Sequence, residues 1–600
     1  MNAADKVEIL KGAAATLYGS GAMGGVVNVY GHLPDTFEVK AGASAGFYDA
    51  PPTTDHSIYR NGYTPWLWNS YVGFGNKDGK WNYSVLYTHS NDDGYRQNTQ
   101  NSMNDVKLKA RYDIDAKQYL QLSTFYTETD GGYGYQWGDP TKAYDVATAA
   151  NLDDSIKRKN SLVGLNYVNL LSDKLSLDTK LYYSHNDSYV DYNKSNVPQF
   201  GMKTRYPGDF NETLANRYGA GIKLDWKASD NHRLLLGADG NMINYETTQV
   251  SALLDERNTL KPIQEKNTAL FIQDEWKLTD KLTALLSLRY DWSGIDADQV
   301  TYNKLTYNPA IPPFGVRTST LVTQNIANKS VDAYSPRIAL NYKADDETAF
   351  RASWGKSFRA PTMYERFIRD AGFANGNPNP ALDKETMTAY EVGMFKQFSD
   401  KVSFDIAGFI NDYENLIESK YFGYPGSFGG LTGPPIIYYE YGNIGKARIW
   451  GIETSLNIRP SNAWKLNFGY TYMNAKNLSY VPNADALAAL NDKNPDPSWL
   501  SYRPEHTASA NVTWKPTSKL SLNASGRYVS KYKNIAQMTN VLGTNYPGDF
   551  IIFDTGVKYH VGESTILNIL CRNIGNVQYE EAEWFRAPGR SFVAGVDFTF

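Results

Sequence analysis

Along the whole chain, short segments recur in which apolar or aromatic side chains alternate with small or polar ones, and this period of two constrains the fold more than any other feature. In residues 81 to 88, Trp81, Tyr83, Val85 and Tyr87 fall on one face, and Asn82, Ser84 and Thr88 on the other. Leu175, Leu177, Thr179, Leu181 and Tyr183 oppose Ser176, Asp178, Lys180 and Ser184 in the same way, and Trp464, Leu466, Phe468, Tyr470 and Tyr472 repeat the pattern. A soluble sandwich would alternate too. The spacing of the turns separates the two possibilities.

Short polar turns are expected at Asn76 to Lys80, Asp113 to Lys117, Leu171 to Lys174, Lys227 to His232, Lys277 to Lys281, Lys343 to Thr348, Gln397 to Lys401, Ile458 to Ala463, Lys515 to Lys519 and His560 to Ser564. Between them lie long stretches rich in Tyr, Asn, Gly and Pro, such as 128 to 158, 293 to 333 and 411 to 447. Short turns on one side and long loops on the other are the signature of a transmembrane β-barrel. Each turn joins two strands. With an opening strand near Phe37 to Phe47 and a closing one near Ser591 to Phe600, the total is about 22 antiparallel strands, a size whose lumen needs a plug. The predicted class is therefore all-β.

Composition agrees with two-faced strands: 14% of residues are aromatic, with 45 Tyr, 25 Phe and 13 Trp. Aromatic residues gather near strand ends, where interfacial girdles sit. No apolar run approaches the roughly 20 residues that a membrane-spanning helix needs. A net charge of −4, from 60 basic and 64 acidic residues, gives no broad basic surface for nucleic acid. The single Cys571 rules out an intramolecular disulfide and reads as a packing residue. The lumen is expected to carry a polar network that includes Arg289, Asp291, Arg527, Arg572 and Asp597.

The chain finishes Phe592, Ala594, Val596, Phe598, Phe600, an alternating face that ends on an aromatic carboxyl terminus; Phe598 and Phe600 resemble the insertion signal of outer-membrane barrels. The start, MNAADKVEILKG, shows no basic n-region, apolar h-region and cleavage site, so the chain is expected to lack its true beginning.

Residues 7 to 29, VEILKGAAATLYGSGAMGGVVNV, closely resemble the end of the plug domain in TonB-dependent receptors, with Gly12, Tyr18, Gly19, Gly21, Gly24 and Gly25 as the marking residues. The glycines suit tight turns and close backbone approach, and Val26, Val27 and Val29 suit a buried strand. Lys11 and Ala13 stand where Arg and Pro are commoner in the family. No Walker lysine follows, which sets phosphate binding aside. Ser357-Phe358-Arg359-Ala360-Pro361, Asn377-Pro378-Asn379-Pro380 and Asn573-Ile574-Gly575-Asn576 resemble further family landmarks, in order. They could equally be a strand exit, a stiffened loop and a turn.

The resemblance implies the end of a plug over 1–35 and a receptor barrel over 36–600, in the outer membrane of a Gram-negative-type bacterium. It also implies outer-membrane lipid around the wall and, for the full-length protein, energy coupling through a TonB box to the TonB-ExbB-ExbD complex. That box is absent from this stretch, so energised import is not expected of the chain as it stands. The implied function is high-affinity uptake of a scarce nutrient, with a ferric siderophore ranked first on how common that cargo is in the family. Tyr133, Tyr135 and Trp137 are candidate clamps for a rigid chelate, and Arg359 for its negative charge; a girdle and a lumen salt bridge are the stronger structural readings of the same residues.

Haem ranks lower because the interval Thr362 to Gly376, where haem receptors usually carry a ligating histidine, has none; His56 and His89 are the substitutes. Cobalamin is the third cargo, and its calcium-binding loops draw attention to Asp130, Asp139, Asp145, Asp153 and Asp154, which read better as a solvated loop. No resident cofactor or metal is expected. From other classes, a passive porin is disfavoured by the plug-like start, and an enzyme by the lack of an H-E-x-x-H zinc helix and of a serine-hydrolase elbow.

Overall fold

The computed structural model describes residues 4–11, 19–52, 57–134, 140–145, 152–192, 208–251, 256–296, 300–308, 316–324, 329–367, 375–376, 378–428, 431–481, 494–535, 547–582 and 585–600. Successive antiparallel strands run from Glu38–Tyr48 to Ser591–Thr599, and these two pair with each other to close a barrel. The closed sheet contains 24 strand segments. Asn375–Gly376 only lies alongside, and Lys329–Tyr334 and Arg337–Lys343 form one wall strand interrupted at Ser335 and Pro336, which leaves 22. Pro336 has no N–H to give the ladder. Its neighbour Ser335 stays paired with Arg289 through both backbone groups, at 2.8 and 3.3 Å.

All ten expected short turns join the strands they were expected to join. They are held by side-chain oxygens that accept the turn's own backbone N–H groups, an arrangement that Asp, Ser and Thr make locally. Asp115 accepts from Lys117 and Gln118 at 2.8 and 3.0 Å, Thr279 from Lys281 and Leu282, and Thr517 from Lys519 and Leu520. At Asp345, which accepts from the N–H of Glu347 at 2.8 Å, these bonds hold the carboxyl below its ordinary range.

The period of two becomes an outside and an inside. Leu181, Leu270 and Val392 are 60, 63 and 64% exposed on the outer face, as a surface that meets lipid would be. Trp81 and Tyr87 are exposed, whereas Asn82 is buried and the Ser84 hydroxyl donates inward to the carbonyl of His32 at 2.8 Å. Two aromatic bands flank the apolar zone. Trp81–Tyr112, His232–Trp276 and Trp464–Trp514 lie at the short-turn ends, and Tyr183–Tyr218, Tyr290–Tyr334 and Trp450–Tyr472 lie nearer the loops. The carboxyl-terminal residue belongs to the wall: Phe600 exchanges both backbone hydrogen bonds with Val39 at 2.9 Å, and its ring stacks with Phe598.

A barrel of this size has no single core. Buried apolar clusters form instead where loops fold back on the wall: Leu416, Ala447, Ala475, Trp499 and Leu500 make one, and Val529, Tyr532, Ile535, Phe550 and Ile552 another. Inside the wall, large side chains lie over glycines. A Cβ on Gly219 would sit 2.1 Å from the Tyr182 ring, so only glycine leaves room for that tyrosine.

Outside the barrel sheet, Ala4–Lys11 and Gly25–Gly31 form a two-stranded antiparallel hairpin. Val27 and Val29 were expected to be buried but are 63 and 58% exposed, because nothing among the described residues covers that face of the hairpin.

Candidate functional site

Gly19 to Met23, the segment between the hairpin strands, meets the inner wall at two places. Its turn closes with the Ala22 N–H donating to the Gly19 carbonyl at 3.1 Å. Gly19 has φ +78, and a Cβ there would come 3.1 Å from Nη2 of Arg289, so both conformation and space call for glycine. Gly21 and Gly24 differ: a Cβ on either meets nothing within 4 Å, so close approach does not explain them. Gly25 opens the second hairpin strand, and Gly12 and Tyr18 lie outside the described residues. Farther along the segment, Met23 packs with Met387, Ala389 and Tyr413 of the wall.

Arg289, 3% exposed, is fixed from two sides. Its Nε donates to both Asp291 oxygens at 2.9 Å, and Nη1 and Nη2 donate to Asp239 at 2.9 and 3.1 Å. A forked guanidinium with two carboxylates is pre-organised, and here it presents a rigid floor to Gly19. The expected lumen pair Arg289 and Asp291 is thus found, with Asp239 as a member that sequence reading missed, whereas Arg572 is exposed and takes no part in it. Elsewhere on the inner wall, Asp597 accepts from Tyr71 and from Asn568 at 2.7 and 2.8 Å, and Arg527 pairs with Glu581. Arg351 bridges Glu391 and Asp405 in the same style as Arg289.

Arg359 stands at the end of its wall strand, where the chain enters a short helix, Met363–Phe367. Nη1 donates to both Glu365 oxygens at 2.9 and 2.8 Å, and Nε donates to Glu385, whose second oxygen accepts from the N–H of Ile417 at 2.7 Å. Thr362 and Glu365 cap the helix reciprocally: the Thr362 N–H donates to Glu365 at 2.7 Å and the Glu365 N–H donates to the Thr362 hydroxyl at 3.2 Å. The spacing Thr362-x-x-Glu365 was legible as a capping box and would have located Arg359's partner. Arg359 is therefore committed to two carboxylates.

The neighbouring Arg366 is buried, which lowers its pKa, and its Nη1 donates to the carbonyls of Pro380 and Leu382 at 2.8 and 2.9 Å. Asn379 ties the same loop to Arg366 and Tyr441. The family-like Phe358–Pro361 and Pro378–Pro380 stretches are thus two halves of one folded loop base. Asn573 and Asn576 both take positive φ in a turn, where asparagine is favoured.

Of the aromatic candidates, Tyr133 packs edge-on against Tyr192 with ring centroids 6.0 Å apart, and its N–H donates to the Asp154 backbone carbonyl at 2.9 Å. Tyr135 and Trp137 lie outside the described residues. The acidic loop does not converge on a point. Asp145 accepts from the Ser57 hydroxyl and from the N–H groups of Ile58 and Tyr59, at 2.7, 2.9 and 2.8 Å, while Asp139 is outside the described residues. Among the described residues no group of three or more His, Cys, Asp or Glu is placed to hold a metal. His89 packs at a tilt against Trp68 and contacts Asn104, and His56 lies outside the described residues. The G-x-S-x-G spacing, which sequence reading passed over, does occur at Gly42 to Gly46. Its Ser44 lies within the wall strand Glu38–Tyr48 rather than on a strand-to-helix turn, so it forms no nucleophile elbow.

Residues 111–574 match the family described as TonB dependent receptor-like, beta-barrel. The chain is 24% identical over 517 residues to a hemin receptor of Yersinia enterocolitica, covering 82% of this chain and 66% of that protein. It is 20% identical to a probable TonB-dependent siderophore receptor, PiuA, of Acinetobacter baumannii, covering 100% of this chain and 82% of that protein. It is 24% identical to the ferrienterobactin receptor of Escherichia coli over 88% of this chain and 68% of that protein. The chain thus spans about two thirds to four fifths of these relatives. Among solved structures, the copper transporter OprC superposes with TM-score 0.75 at 17% identity, and the ferric citrate transporter FecA in its unliganded form with TM-score 0.72 at 14% identity. Each alignment covers 100% of this chain, and 86 and 84% of the other.

Proposed function

The chain belongs to the TonB-dependent receptor family, and on that premise we propose that in its full-length form the protein is an outer-membrane receptor importing a ferric siderophore with energy from the TonB-ExbB-ExbD complex. Residues 1–35 are then the end of the plug and 36–600 the barrel that it closes. The observation that carries this reading is the seating of Gly19 on the rigid Arg289–Asp239–Asp291 floor and of Met23 against Met387, contacts that a permanently open pore would not require. The family consists of transport receptors, and the chain is read as one of them rather than as an enzyme.

The cargo reading draws on the relatives. The probable siderophore receptor PiuA aligns with 100% of the chain. The missing histidine between Thr362 and Gly376 counts against haem, and the tight folding of that loop base around Arg359 and Arg366 leaves those cations engaged by protein partners. Tyr133, Tyr135 and Trp137 are then outer-loop contacts for the chelate, whereas Arg359 positions the loop base. Haem is the second reading, favoured by the 24% identity to the hemin receptor.

Tryptophan-quenching titrations of the purified protein with ferric siderophores, hemin and cyanocobalamin test the choice. Saturable quenching by a ferric siderophore alone is expected. Saturation by hemin alone would move the chain to the second reading.

A further inference from the structure

The hairpin meets the barrel wall at a further place, away from the Arg289 floor and the Met387 contact. His32 directly follows the hairpin strand Gly25–Gly31 and is six residues before Glu38, where the wall begins. Its Nδ1 contacts the carboxylate of Asp5, from the other hairpin strand, and its Nε2 lies 2.9 Å from a Glu38 carboxylate oxygen. The ladder shifts between Ala4 and Lys6, and this irregularity sets Asp5 out of register and leaves it for His32. Side-chain donors frame the same point: the Ser84 hydroxyl donates to the His32 carbonyl at 2.8 Å, and Lys109 Nζ to the Gly31 carbonyl at 2.7 Å. A cavity of about 330 Å³ lies alongside, lined in part by His32, Glu38, Lys40, Lys107 and Lys109.

An ionised carboxylate only accepts hydrogen bonds, so an imidazole placed between two of them is satisfied at both nitrogens only when both carry hydrogen. We propose that His32 is a proton-dependent clasp: as imidazolium it ties the hairpin strand carrying Asp5 to the wall strand carrying Glu38, and loss of its proton loosens the hairpin from the wall.

The charged groups facing it are few. The hairpin supplies Asp5, with Lys6, Glu8 and Tyr30 paired among themselves. The first wall strand supplies Glu38 and Lys40, which are 2.8 Å apart. Strand Asn101–Asp113 supplies Lys109 and Lys107, the latter paired with Asp105. Lys40 Nζ also stands 3.2 Å from Nε2 and, among the described residues, is the group placed to donate to a neutral ring there. That substitute leaves the Glu38 oxygen against a lone pair, so it does not replace the clasp.

The test places a spin label at Ile9→Cys on the exposed hairpin face, in a Cys571→Ser background, with the protein in lipid vesicles. From about pH 5 to about pH 8, across which a histidine exchanges its proton, the mobile fraction of the label is expected to rise at least about tenfold, the worth of one charge-assisted hydrogen bond. In His32→Gln the label is expected to be mobile at both values, with heat-modifiable electrophoretic mobility confirming a folded barrel. A label equally immobile at both pH values in the parent, as Lys40 substitution would give, overturns the proposal. So does a His32→Gln protein that keeps the parent's pH profile.

Discussion

The two rims of this barrel are built by different physics. At the short-turn rim, each connection is closed by its own residues, as when Asp115 takes the N–H groups two and three positions along. At the loop rim, stability comes from residues far apart in sequence. Trp499 packs against Leu416, Ala447 and Ala475, its indole N–H donates to the Arg503 carbonyl at 2.7 Å, and Lys533 Nζ stands 4.3 Å from its ring. Glu385 joins Arg359 to Ile417 across three segments. One rim is thus a row of independent local solutions, and the other is a cooperative assembly on which function can act.

If that contrast is right, damage should spread at one rim and stay put at the other. The largest effect is expected from Trp499→Ala, which empties a site 1% exposed and costs about 3 to 5 kcal/mol; hydrogen exchange should rise through the segments carrying Leu416, Ala475 and Ile535 together. Exchange confined to the Trp499 segment would break the comparison. Next comes Glu385→Ala, which strips the 3% exposed centre of the Arg359 node and leaves the Ile417 N–H unpaired, at about 3 kcal/mol. Limited proteolysis should then cut near the Met363–Phe367 helix while the wall stays intact.

Asp115→Ala is expected to cost about 1 kcal/mol, with faster exchange only at Lys117 and Gln118. The smallest effect is at Asp345. Its folded pKa is depressed, so its contribution is present above the ordinary aspartate range and is lost as pH falls through the lower folded value. Exchange at the Glu347 amide should therefore quicken only at acid pH, and Asp345→Asn should remove that dependence.

The same contrast explains what could be read in advance. Turn chemistry and a period of two are local, so ten turns, the alternation at Trp81 to Tyr87 and the closing strand ending at Phe600 could be placed without any partner in view. Arg289 and Asp291 were legible because they share one strand face; Asp239, 50 residues earlier, was not. Arg359 was singled out for a ligand's charge, yet its carboxylates arrive from a helix cap and from another strand. Pairing across the barrel is decided by register, which no segment carries alone. The exposure of Val27 and Val29 was missed for a related reason, since their alternation shows an apolar face but not what covers it.

The central claim is that the protein, in its full-length form, is an energised receptor for a ferric siderophore. It is tested most directly by uptake of radioactive iron, presented as ferric siderophores, in cells with and without the gene for this protein, before and after collapse of the proton gradient. The expected result is saturable uptake of one siderophore that disappears with the gene and with the gradient. Uptake that is unchanged by deleting the gene, or that persists without the gradient, would contradict it.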